Sequence, residues 1–212
     1  MRCLPLLPLA LVGVLGLLGA SSALAAEPNP KERIEAVYAE ITLATQEAED
    51  QEALTARLTV ILDGLMDYPA FAQRTLRASW PELSREQREI FIDRFKRLVV
   101  KIYGKRFRPR TEFAVSYRND GLRYRNEART AARVDTTIRG RRVAADVDYY
   151  FVKGGGSNSE RWFVFDFEID SVSMALNWRR QFERIIAQDG FDALIERIEE
   201  RVKDDDGDED DD

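Results

Sequence analysis

The residues best suited to chemistry are carboxylates at two-residue spacing. Asp166, Glu168 and Asp170 alternate with Phe165, Phe167 and Ile169, and Asp146 and Asp148 alternate with Val147 and Tyr149. Residues two apart share one face of a strand. Two such carboxylates on neighbouring strands could flank a glycosidic bond, one as acid and one as base or nucleophile. That work needs a concave site which raises the pKa of one acid. Against it stand Arg123, Arg125, Arg133 and Arg139, spaced the same way on other segments. Opposite charges paired across strands stabilise a sheet by roughly 0.2–1 kcal/mol per pair. A solvated ladder of paired charges therefore accounts for all of these carboxylates, and no catalytic residue is assigned.

The apolar positions of the same segments raise a second possibility. Phe163, Phe165, Phe167 and Ile169 lie opposite the carboxylates of their strand, and Val147, Tyr149 and Phe151 lie opposite Asp146 and Asp148. Helical segments add Phe71, Trp80, Phe91, Phe95, Tyr103 and Phe182. These side chains make either an ordinary filled core or the wall of a cavity. No spacing rule separates the two.

Composition removes whole classes of function. The chain has no histidine, and its one cysteine is Cys3. Cysteine nucleophiles, Ser-His-Asp triads, histidine bases and the commonest zinc ligands are thereby excluded from the body. No metal and no cofactor is expected. Residues 1–25 read as a cleaved signal peptide: Arg2, an apolar run from Leu4 to Leu18, and the small-x-small pattern Ala23-Leu24-Ala25. The run is shorter than the ~20 apolar residues of a membrane span. A single domain is expected over 26–203, with 204–212 a disordered acidic tail. The stretch from Lys203 to Asp212 holds 8 acidic residues and 1 basic one. Setting it aside with Arg2 leaves 30 basic and 30 acidic residues. The low pI thus belongs to the tail, and a balanced body argues against nucleic acid as a partner. The tail does not make a calcium loop, because Val202 stands five residues before Gly207 where an Asp is needed.

The elements that must position these residues follow from periodicity. Asn29-Pro30 starts a helix carrying Ile34, Val37, Tyr38 and Ile41. A second runs from about Glu52 to Met66 with Leu54, Leu58, Ile61, Leu62 and Leu65 on one side. A short helix restarts at Pro69. Ser84 and Gln87 form a capping box for a long helix reaching about Phe107. Pro109 ends this half, and the period changes to two. Asn119-Asp120-Gly121 reads as a hairpin turn and the 154–159 run as a flexible hairpin loop. Two closing helices, near 174–188 and 191–202, are separated by Gly190. The expected fold class is α+β: N-terminal helices, an antiparallel meander of four to five strands, and C-terminal helices packed on one sheet face.

Two segments resemble the MlaC family, the periplasmic phospholipid-binding component of the Mla (maintenance of lipid asymmetry) ABC transport system, whose members are also labelled toluene-tolerance auxiliary transport proteins. One is Asp67 to Phe107. The other is Arg161 to Ile198, where the family pattern is matched by Trp162, Asp166, Ser171-Val172-Ser173 and Asn177-Trp178-Arg179. The chain departs from it at Ser171, where glycine is usual, at Arg77, where a Leu-Gly step is usual, and at Trp178, where tyrosine is usual. The resemblance implies a monomeric carrier that moves phospholipids between membranes. Its implied partners are an inner-membrane MCE-domain ABC transporter complex and an outer-membrane lipoprotein–porin complex. Acyl chains would lie between sheet and helices, chiefly against the long helix, with a lining of Phe91, Phe95, Val99, Tyr103, Val147, Tyr149, Phe151, Val164 and Val172. Three alternatives stay open: the same fold carrying another lipid such as a hopanoid, an adaptor with a filled core, and an acid-dependent hydrolase.

Overall fold

The structure, a computed structural model, describes residues 27–141, 144–154 and 160–203. The signal peptide, the 204–212 tail and most of the 154–159 loop expected from the sequence lie outside the described residues. Four helices come first: α1 (Pro30–Glu47), α2 (Gln51–Leu65), α3 (Tyr68–Thr75) and α4 (Arg85–Gly104), with a short 3-10 turn at Trp80–Glu82 before α4. Their starts are written locally. Asn29 and Glu32 form a capping box on α1, Ser84 and Gln87 form one on α4, and Asp50 and Asp67 cap α2 and α3. Each caps backbone N–H groups that the first helical turn leaves without partners.

The sheet is a five-stranded antiparallel meander, β1 (Phe113–Tyr124), β2 (Ala131–Gly140), β3 (Ala144–Lys153), β4 (Trp162–Ile169) and β5 (Val172–Ser173), paired in chain order. Helix α5 (Met174–Lys203) closes the chain and is broken at Gly190, whose φ of 88° is non-helical. The architecture is the α+β arrangement expected from the change of period.

Two irregularities differ from the sequence reading. Asn119-Asp120-Gly121 is not a hairpin turn. All three residues have positive φ, and they form a bulge inside β1 between the pairs Tyr117–Thr136 and Leu122–Val134. Both sides pair with β2, so an Asn-Asp-Gly turn signal is used as a bulge. A second register shift falls in β4, where Tyr150 pairs with Asp166 but Phe151 pairs with Val164. Strict alternation would place Phe163, Phe165, Phe167 and Ile169 on one face. The shift instead puts Val164 with Phe167 and Ile169 on the face shared with Val147, Tyr149 and Phe151. Phe163 and Phe165 turn away and are half-buried beneath arginines: Arg161 over Phe163 at 5.3 Å and Arg74 over Phe165 at 5.6 Å.

Candidate functional site

The carboxylates come first. The ladder is real but it is not solvated throughout. Asp135 and Asp148 are buried, at 1% and 4% exposure. Arg133 bridges them, Arg123 reaches Asp135, and Arg118, thrown across by the β1 bulge, reaches Asp148 and lies 3.4 Å from Asp146. Arg118 went unnoticed in the sequence because its partner depends on that bulge. Arg125 instead lies over the Tyr150 ring, 5.8 Å from its centre. Burial holds the Asp148 carboxyl above the ordinary carboxylate range, with Asp135 adding to the shift and Arg133 and Arg118 opposing it.

Asp166 has another task. It is 2% exposed. Its Oδ1 accepts from the backbone N–H groups of Phe167, at 2.9 Å, and Ala175, at 3.1 Å. Its Oδ2 accepts from Ser173 Oγ at 2.8 Å and from Arg74 Nε at 3.0 Å. One carboxylate thus ties β4, the β5 step, the start of α5 and helix α3 together. Both of its oxygens are engaged by these four donors. Among the described residues no cluster of acidic or other ligating side chains is arranged to hold a metal ion.

The concave feature lies on the other face of the sheet. A cavity of about 230 Å³ opens between the sheet and helices α1, α2 and α4. A void of roughly 10–15 Å³ already admits one water. Helix α1 supplies Ile34, Val37, Tyr38 and Ile41, and α2 supplies Leu58, Leu62 and Leu65. Val99, Tyr103, Gly104 and Phe107 come from the end of α4 and the turn after it. The sheet contributes Ile138, Ala145, Val147, Tyr149, Phe167 and Ile169. The polar groups inside are mutually satisfied. The Tyr38 and Tyr149 hydroxyls bond to each other. Tyr103 donates to Met174 Sδ at 2.9 Å and accepts from Trp178 Nε1 at 3.3 Å. Burial raises both phenols of the Tyr38–Tyr149 pair well above their ordinary range, so both stay neutral.

Of the nine residues expected at the site, Val99, Tyr103, Val147 and Tyr149 line this cavity. The other five do not. Phe91 and Phe95 are fully buried in a solid aromatic cluster with Phe71, Trp178 and Phe182, ring centres 5.0–5.9 Å apart for Phe71–Phe95, Phe91–Phe95 and Phe91–Phe182. The N-terminal half of α4 is therefore committed to packing against α3 and α5, and only its C-terminal end reaches the cavity. Phe151 and Val164 are fully buried outside the lining, and Val172 is 45% exposed on β5. The α1 and α2 contributors were missed as lining, although both apolar stripes are visible in the sequence. Nothing in a stripe says whether its far side meets atoms or space.

An α+β domain with an apolar cavity between helix layer and sheet offers room for an apolar or amphipathic molecule. The chain belongs to the MlaC family: the family model described as MlaC protein matches residues 31–200. Among solved structures it is similar to the phospholipid-binding protein from Ralstonia solanacearum in complex with a phospholipid. The identity is 17% and the TM-score 0.69, over 81% of this chain and 96% of that one. At that identity the likeness concerns the fold. No curated protein matches the chain.

Proposed function

We propose that this chain is an exported phospholipid carrier that holds acyl chains in the cavity between its sheet and helices α1, α2 and α4. The observation that carries the reading is the cavity itself, open and walled by aliphatic and aromatic side chains, in a chain of the MlaC family. The phospholipid held by the Ralstonia solanacearum protein of the same fold supports it. An adaptor with a filled core has no use for such a space. A hydrolase finds no support in carboxylates engaged by arginines and backbone N–H groups.

The energetics suit a shuttle. Exposing a CH₂ group to water costs about 0.8 kcal/mol, so two chains of roughly 30 methylenes cost on the order of 20 kcal/mol. Free passage of a phospholipid through water is negligible on that scale. The carrier need only match the bilayer interior, and direction comes from its partners. The partners proposed are an inner-membrane MCE-domain ABC transporter complex and an outer-membrane lipoprotein–porin complex, met by a monomer in the periplasm. The apolar leader supports export, and among the described residues no helix is long and apolar enough to cross a membrane.

Native mass spectrometry of protein purified without detergent tests this reading. One phospholipid per chain is the expected result. A bare protein that stays bare after incubation with phospholipid vesicles refutes it.

A further inference from the structure

The cavity wall carries two charges among its described residues, and they are of opposite sign. Arg106 comes from the turn after α4 and Asp170 from the turn between β4 and β5. Both are exposed, which puts them at the opening rather than in the depth. They make no salt bridge with each other, and neither has another ion-pair partner among the described residues. Asp170 is nonetheless fixed. Its backbone N–H donates to the Asp146 carbonyl at 2.9 Å, and its Oδ1 accepts from the Asp146 N–H at 3.0 Å. Its carboxylate is thus held in place through Oδ1, and among the described residues Oδ2 has no hydrogen-bond or ion-pair partner. The neighbouring Asp146 charge is already met by Arg118.

A cavity meant for a net-anionic headgroup would be rimmed by cations alone. A fixed carboxylate there repels such a headgroup, and repulsion is a recognised source of selectivity. We propose that Arg106 and Asp170 read a zwitterionic headgroup, Arg106 meeting the phosphodiester and Asp170 the ammonium, so that the carrier prefers phosphatidylethanolamine-like lipids to phosphatidylglycerol-like ones. This rests on the carrier reading above and adds the headgroup class to it. Ion pairs at an exposed rim are worth up to about 1 kcal/mol, which sets the preference at roughly three- to fivefold.

The test uses the full chain stripped of lipid and incubated with vesicles holding equal phosphatidylethanolamine and phosphatidylglycerol with identical acyl chains. The lipid taken up is then measured by mass spectrometry. The expected result is an excess of phosphatidylethanolamine on the unmodified protein. Asp170→Asn should bring the ratio close to parity. Asparagine tolerates the left-handed backbone at this position, where φ is 48°, and keeps the acceptor for Asp146 N–H. Arg106→Gln should lower uptake of both lipids. Parity or an excess of phosphatidylglycerol on the unmodified protein overturns the proposal, as does an unchanged ratio in Asp170→Asn. Both leave the carrier reading standing. Uptake of neither lipid overturns the carrier reading, and this proposal with it.

Discussion

Asp166 shows how a candidate catalytic residue becomes a structural one. The sequence places it correctly in a strand among carboxylates, but its partners come from Arg74, Ser173 and Ala175, which no local pattern brings together. Replacing it by alanine strands a buried hydroxyl and the first-turn N–H of α5. Asp166→Ala should cost about 2–3 kcal/mol of stability in urea unfolding, as expected when buried donors lose their acceptor. Asp146→Asn, at a half-exposed carboxylate, should shift stability by no more than about 0.5 kcal/mol. Ser171 is a residue-scale departure with a cost of its own. It holds a φ of 68°, next to Asp170 at 48°, in the left-handed region that favours glycine. The turn keeps the left-handed backbone despite the side chain. Ser171→Gly should therefore stabilise the protein by about 0.5–1 kcal/mol, net of the greater freedom glycine has when unfolded. A fall in the denaturation midpoint would show that the serine makes a compensating contact.

The elements themselves were largely legible, because caps and periodicity are local. The N-cap at Asn29, the capping box at Ser84, the break at Gly190 and the change from helix to strand near Pro109 all stand where the sequence puts them. What was not legible depends on pairing across the sheet. A bulge in β1 and another in β4 decide which side chains face the helices, and a bulge is defined by the partner strand as much as by its own residues. The same limit explains α4. Its apolar stripe is continuous from Phe91 to Tyr103, yet one end fills a core and the other borders a space. The Tyr38–Tyr149 bond joins α1 to β3 across that space. Both phenols have pKa values raised above the ordinary ~10, first of all by burial. A raised folded-state pKa means stability fully present below the unfolded value of about 10 and lost progressively as pH climbs from there through the raised folded value. Unfolding free energy should therefore begin to decline near about pH 10 and keep declining at higher pH. Tyr149→Phe removes one of the two groups and should shallow that decline. Identical slopes for parent and variant would show that the pair does not govern the alkaline limb.

For the molecule as a whole, the two halves of the helical layer divide the labour. Helices α3 and α5 with the first half of α4 make a packed aromatic mass, while α1, α2 and the end of α4 lean over the sheet around the cavity. On the carrier reading proposed above, the solid half holds the fold while the other half changes contents, since bulk added to a cavity wall disturbs few of the aromatic contacts. Filling the cavity from its wall should then separate folding from carriage. Val99 and Val147 face each other's space from α4 and β3, and both are nearly inaccessible from outside. Val99→Trp and Val147→Trp should each cost about 1–3 kcal/mol, which a domain of this size survives, and should each reduce phospholipid uptake from vesicles several-fold. Val172→Trp supplies the contrast. That position lies outside the lining and is exposed, so the same bulk there should leave uptake unchanged. Far-UV circular dichroism on all three variants establishes that each remains folded. If the two cavity variants fold and still take up lipid as the parent does, acyl chains lie elsewhere. If Val172→Trp alone abolishes uptake, the route into the protein runs over β5 rather than past Arg106.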